Sequence, residues 1–311
     1  MDIDAVPRMQ IGTWPTPVRR LDHTSEVLGV EVWAKLEEEC GAWGGNKVRK
    51  LEYLFHELRG RGIARVVAWG AASSNWAAAC AWHGSRHGFE VFAGLGGYLP
   101  ESYRRIYDAA GVPMVALPRI ELAPLAAAVA RIRSGRRAGV LPVGGSGGRG
   151  DLGPVTAGVE IARSIAAGEL PAPVGGIFVA AGSCGTVAGI AAGLGVEHAS
   201  LPVVGVKVAD WPYATRAMIS RRTRNIARLL ATHGIDTSTP APIELDAGAL
   251  GSGYGLITRA ARAAIVLARR DGLDLDQVYG AKAFGALITR ARSDDGPFLF
   301  VHTSPGTPPV G

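Results

Sequence analysis

Along this chain, short continuous apolar runs alternate with amphipathic or alanine-rich stretches. The segment Val30 to Leu36 reads as a strand. After it, Leu51, Leu54, Phe55 and Leu58 fall at i, i+3, i+4 and i+7, which is one face of a helix over 47–59. Gly60 supplies a stop. Further strands are expected at 65–70, 90–95, 112–117, 140–143, 176–180, 203–208, 243–246 and 297–302. Helices are expected between them, at 75–87, after Pro100, and at 121–133, 153–167, 187–194, 213–233, 255–270 and 281–292. The strands are uninterrupted apolar runs, the signature of parallel sheets covered on both faces. Residues 1–30, with Pro7, Pro15 and Pro17, read as an irregular lead-in.

Glycine punctuates this pattern. Gly144-Gly145-Ser146-Gly147-Gly148-Arg149-Gly150 carries five glycines in seven residues and reads as a linker. It suggests two domains: a large one of residues 1–50 and 146–311, and a smaller inserted α/β domain of 51–145. A chain of 311 residues is long enough for both.

Composition narrows the function classes. Hydrophobic residues make up 48% and charged residues 19%, a globular balance. No apolar run reaches the length of a membrane span. Met1-Asp2-Ile3-Asp4 is acidic and lacks an apolar region, so no secretory signal is expected. Cys40, Cys80 and Cys184 are odd in number and widely spaced, which points to reduced thiols in a cytoplasm and away from disulfides or a zinc site. The net charge of +6 comes from scattered arginines. A nucleic-acid binder clusters its charge and interleaves aromatics, so no nucleic-acid partner is expected. Lysine occurs only five times, at 35, 47, 50, 207 and 282, which leaves few residues for amine chemistry.

Four stretches could carry that chemistry. In Gly44-Gly45-Asn46-Lys47, two glycines let the backbone approach a ligand, and Lys47 lies at a helix N-terminus. The positive dipole end depresses a lysine's pKa and favours an amine nucleophile, although a capping surface lysine has the same spacing. Ala181-Gly182-Ser183-Cys184-Gly185-Thr186 joins a strand to a helix and can cradle an anion on backbone N–H groups; a tight turn without a ligand reads the same. It matches neither a P-loop nor G-x-G-x-x-G. Ser73-Ser74-Asn75 is an N-cap cluster able to receive a carboxylate. Tyr254, between glycines, and Tyr279, before a helix, offer general acids or stacking rings. His302-Thr303 closes the last strand, at the edge where open α/β sheets bind ligands.

Gly44-Gly45-Asn46-Lys47-Val48-Arg49-Lys50-Leu51-Glu52 closely resembles the cofactor-lysine segment of the D-cysteine desulfhydrase / 1-aminocyclopropane-1-carboxylate deaminase family. These are tryptophan synthase β-like enzymes of fold type II that use pyridoxal 5′-phosphate (PLP). The likeness continues in order through Ser74-Asn75, the 182–186 loop, Tyr254-Gly255-Leu256, Val278-Tyr279 and His302-Thr303. It implies an α/β fold of two open, mostly parallel twisted sheets flanked by helices, with PLP in the cleft between domains, and a homodimer. Lys47 would hold PLP as a Schiff base and move the substrate's α-proton. Asn75 would bond the 3-hydroxyl of the cofactor. Gly182, Ser183, Cys184, Gly185 and Thr186 would form the phosphate cup. Ser74, Asn75 and the N–H of Trp76 would receive the substrate carboxylate. Tyr254 and Tyr279 would lie at the ring and substrate, and Thr303 at the pyridine nitrogen.

The implied activity is an α,β-elimination on a small amino acid with a β-leaving group, releasing an oxoacid and ammonia. β-Replacement, cyclopropane deamination and a PLP-holding protein without catalysis are the alternatives. Three positions depart from the family. Gly280 stands where the deaminases carry a glutamate, which argues against cyclopropane ring opening. Trp76 replaces a polar residue and changes the shape of the substrate pocket. Ser304-Pro305 replaces two glycines, and the proline removes an N–H.

Overall fold

The structure is a computed structural model that describes residues 2–305 apart from 136, 173, 237 and 238. The last six residues of the expected large domain therefore lie outside the described residues. In chain order the elements begin with β1 (Val18–Arg20), α1 (Asp22–Leu28), β2 (Val32–Leu36), α2 (Asn46–Gly60) and β3 (Arg65–Ala71). Next come α3 (Asn75–Arg86), β4 (Glu90–Gly96), α4 (Glu101–Ala109), β5 (Met114–Leu117), α5 (Ala123–Arg133) and β6 (Gly139–Val140). The rest are α6 (Gly153–Ala166), β7 (Gly176–Ala181), α7 (Gly185–Val196), β8 (Val203–Lys207), α8 (Arg216–Ala231), β9 (Ile243–Asp246), α9 (Arg259–Arg270), α10 (Gly280–Arg290) and β10 (Phe298–His302).

The chain folds into two units, one of residues 2–6, 12–46 and 151–305, the other of 7–11 and 47–150. The first contains a six-stranded sheet in the order β1-β2-β10-β7-β8-β9, parallel except for β1 on β2. Its central strands are buried because both faces are covered. One face packs Phe178, Phe298 and Phe300 against alanines of α9 and α10. The other packs Ile177, Val179, Leu299 and Val301 against α6 and α7. The second unit holds a four-stranded parallel sheet, β5-β4-β3-β6. Both sheets agree with the expected fold class.

Helix α7 is buried almost all round, and its glycines explain how. A Cβ on Gly193 would stand 2.1 Å from the Val155 carbonyl oxygen, and one on Gly158 of α6 would stand 2.2 Å from that of Ile190. The two helices thus touch backbone to backbone, which holds the N-terminus of α7 in one place.

Three expectations need correction. The lead-in is not irregular: β1 pairs antiparallel with β2, and α1 follows. Its cap comes from far along the chain, because the Asp271 carboxylate accepts the N–H groups of His23 and Thr24 and the Thr24 hydroxyl. The strand expected at 140–143 stops at Val140, since Pro142 lacks an N–H and a tight 3-10 turn begins at Val143. The glycine run is a packed turn and not a loose tether. Gly145 and Ser146 are buried, and a Cβ on Gly150 would stand 2.2 Å from the Gly145 carbonyl oxygen.

Candidate active site

In the first unit, strand β7 delivers the 182–186 loop to the N-terminus of α7. The carbonyls of this loop are occupied from behind. Val208 N–H donates to Ala181, Ala214 N–H to Gly182, and Arg222 Nε to Ser183 at 3.4 Å. Cys184 takes a left-handed φ of 63°, uncommon for a side-chain-bearing residue. A helix start leaves its first N–H groups without intrahelical acceptors, so this turn can hold an anion. The Cys184 thiol is buried with its Sγ 3.8 Å from the Gly182 carbonyl oxygen.

Gly44, Gly45 and Asn46 dock on the same end of the sheet. A Cβ on Gly45 would stand 2.7 Å from the Thr303 carbonyl oxygen, and one on Gly44 2.0 Å from that of Glu38. Only glycine allows these approaches. Asn46 then bridges two expected site residues: its N–H donates to the Thr303 carbonyl at 2.9 Å, and its Nδ2 to Thr186 Oγ1 at 2.9 Å. Its Oδ1 is buried and has no hydrogen-bond partner among the described residues. The strand end is held as well, with His302 Nδ1 at 2.6 Å from Glu38 Oε1 and its Nε2 at 3.2 Å from the Asp274 carbonyl. Pro305 bridges to Leu275, which fixes the departure at 304–305.

The two tyrosines meet. Their hydroxyls are 2.8 Å apart with the rings edge to face, and a Cβ on Gly182 would lie 3.5 Å from Tyr279 Cε1. Burial raises the Tyr254 phenol above its ordinary value of 10.0, partly offset by the bond from Tyr279. Asp276 orients Tyr279 by capping α10, accepting N–H groups from Val278, Tyr279 and Gly280 at 3.0, 2.7 and 2.9 Å. Burial nonetheless raises its carboxyl.

In the second unit, Lys47 is half-buried in the first turn of α2, directly after Asn46. Burial pushes the Cys80 thiol well up, and the positive charge of Lys47 opposes that shift. Three other lysines, Lys50 in this unit and Lys35 and Lys282 in the first, are buried and hold structure. Lys35 contacts Glu160 and the Thr16 carbonyl, both at 2.6 Å. Lys50 donates to Ser146 Oγ at 2.7 Å and the Gly144 carbonyl at 3.1 Å. Lys282 donates to the carbonyls of Leu250 and Gly253.

Ser74 is the N-cap of α3, its Oγ accepting the Trp76 N–H at 3.3 Å. Tyr103 on α4 donates its hydroxyl to Asn75 Oδ1, which leaves the amide Nδ2 as the donor end. The Trp76 indole is buried against Gly145 and Lys50. Its Nε1 has no hydrogen-bond partner among the described residues.

Sequence reasoning overlooked Asn46, Tyr103 and Lys282. Asn46 stood inside the glycine-lysine motif, and Lys282 was one of only five lysines. Nothing local marks Tyr103. Among the described residues, no group of three or more His, Cys, Asp or Glu could hold a metal, and no helix is long and apolar enough to cross a membrane.

Each unit carries features that fit PLP: in the first, an anion cup and a backbone-only approach at Gly45, and in the second, an oriented amide donor at Asn75 and a half-buried lysine at position 47. The comparisons agree. D-cysteine desulfhydrase of Yersinia enterocolitica is 33% identical over 316 residues, covering 96% of this chain and 93% of that protein. A putative 1-aminocyclopropane-1-carboxylate deaminase of Pyrococcus horikoshii is 31% identical, covering 96% and 91%. The crystal structure of an ACC deaminase homologue superposes with a TM-score of 0.82 at 28% identity, over 97% of this chain and 93% of that one. The family model for pyridoxal-phosphate dependent enzymes matches residues 9–304, and the chain belongs to that family.

Proposed function

We propose that this chain is a deaminating lyase that eliminates the β-substituent of a small amino acid and releases an oxoacid and ammonia. The observation that carries the reading is the Asn46 bridge, which ties the residue before Lys47 to both Thr186 and Thr303. Bound PLP supplies an electron sink that makes the substrate's Cα–H acidic. The residues of this chain supply the rest.

Lys47 would hold PLP through its Nζ and would move the substrate's α-proton with the same amine. Backbone N–H groups of Gly182 to Thr186 would bind the phosphate. Asn75 Nδ2, left as the donor end by the Tyr103 hydroxyl on Oδ1, would donate to the 3-oxygen. Ser74, Asn75 and the Trp76 N–H receive the substrate carboxylate at the start of α3, where the helix dipole favours an anion. The Tyr254–Tyr279 pair serves the substrate's leaving side. The Thr303 hydroxyl would serve the pyridine nitrogen. A neutral hydroxyl does not enforce protonation there, which suits loss of a β-substituent over transamination.

Gly280 gives no acid at the position where the ring-opening deaminases carry one. A Cβ there would crowd Asp276 Oδ2 at 3.2 Å, so the cap on α10 and a larger residue compete for this space. The working form is a cytoplasmic homodimer, the compartment in keeping with three buried, widely spaced cysteines. Incubating the holoenzyme with D-cysteine, L-cysteine and β-chloroalanine and measuring oxoacid and ammonia tests the reaction. Equimolar release of both supports elimination; a new amino acid formed from an added thiol, with little ammonia, would overturn it.

A further inference from the structure

We propose that Lys282 is a positioning residue for the Tyr254–Tyr279 hydroxyl pair, because its side chain fastens the loop carrying Tyr254 to the helix that Tyr279 begins. The inference rests on the assignment of these two tyrosines to the reaction.

The loop needs an anchor. Gly251, Gly253 and Gly255 all take positive φ, at 65°, 136° and 78°, so the chain around Tyr254 has little conformational preference of its own. Lys282 lies in the first turn of α10 and is 1% exposed. Its Nζ donates to the Leu250 carbonyl at 2.8 Å and to the Gly253 carbonyl at 3.0 Å. The loop is gripped from a second side by Asp210, whose Oδ2 accepts the Tyr254 N–H at 2.9 Å. Asp210 also acts on Lys282 electrostatically, favouring its charged form against burial, the larger influence. Tyr279 caps the same helix α10, three residues before Lys282. One short helix therefore sets the place of both hydroxyls, one through the chain and one through an ammonium. The 2.8 Å separation of the hydroxyls is the result.

Two measurements test this. Ultraviolet titration of the apoprotein, wild type minus Tyr254→Phe, isolates the Tyr254 phenol without PLP or substrate. In Lys282→Met that phenol should fall back toward its ordinary value of 10.0, because the freed loop lets water reach it. In the holoenzyme, Lys282→Met should lower kcat roughly 10- to 100-fold by misplacing one hydroxyl. Tyr254→Phe added to it should then cost less than about threefold more, because the two act as one unit. An unchanged Tyr254 titration, or fully multiplicative losses, overturns the proposal. If Lys282→Met does not fold, Lys282→Gln keeps one neutral donor and carries the same readouts, with a partial shift expected and none contradicting. A shifted titration with no turnover on any amino acid counts against the proposed reaction and leaves the positioning intact.

Discussion

Asn46 Nδ2 donates to Thr186 Oγ1 across 2.9 Å, joining the residue before the candidate cofactor lysine to the last residue of the anion cup. Both side chains are buried, so the bond is made away from competing water. Asn46→Ala removes the donor and leaves the Thr186 hydroxyl with one partner fewer. The expected result is PLP affinity weaker by roughly tenfold, in line with about 1–2 kcal/mol for one buried hydrogen bond. Absorbance titration of apoprotein with PLP measures it.

Gly45 has φ 129° and its missing Cβ would press on the Thr303 carbonyl. Gly45→Ala therefore meets both backbone strain and a clash. A loss of roughly 1–3 kcal/mol is expected from the strain alone, read as a lower unfolding midpoint in denaturant. PLP affinity should fall with it, since Asn46 shares the displaced contact.

Trp76 and Gly145 form a second matched pair. A Cβ on Gly145 would stand 2.5 Å from Trp76 Cζ3, at a backbone φ of 64°. Gly145→Ala should destabilise the wild type through both terms. In a Trp76→Ala background the clash is gone and only the strain remains. A double-mutant cycle by chemical denaturation should show coupling of roughly 0.5–3 kcal/mol, and an additive outcome would refute the contact.

Alkaline pH should weaken the fold through Cys80. Burial raises this thiol well above its ordinary 9.0, so the folded state keeps a proton that the unfolded chain releases. Above pH 9.0 the unfolded state binds fewer protons, and stability falls as pH rises toward the folded value. The slope within that window is about 1.4 kcal/mol per pH unit for one such group. Urea midpoints from about pH 8 to 11 should decline in the wild type, with a shallower decline in Cys80→Ala.

The central sheet strands were legible because they are uninterrupted apolar runs: in β7, consecutive Ile177, Phe178 and Val179 are all buried, so both faces of the strand are covered. The lysine, the cup and the tyrosines were legible as glycine-flanked breaks between such runs. What was hidden depended on distant partners. Asp271 caps α1 at Thr24 from 247 positions away, so the first 30 residues looked irregular. Tyr103 reaches Asn75 across 28 positions with no local mark. The glycines of 144–150 looked like a linker because spacing cannot tell a free glycine from one crowded by Trp76 and Leu54.

Lys47 is proposed as the residue that takes up PLP, and borohydride reduction of the PLP-loaded protein, followed by peptide mass mapping, tests that assignment. A pyridoxyl mass is expected on the peptide bearing Lys47, with loss of both the label and the visible absorbance in Lys47→Ala. A label on Lys50, Lys207 or Lys282, or no label at saturating PLP, would contradict it.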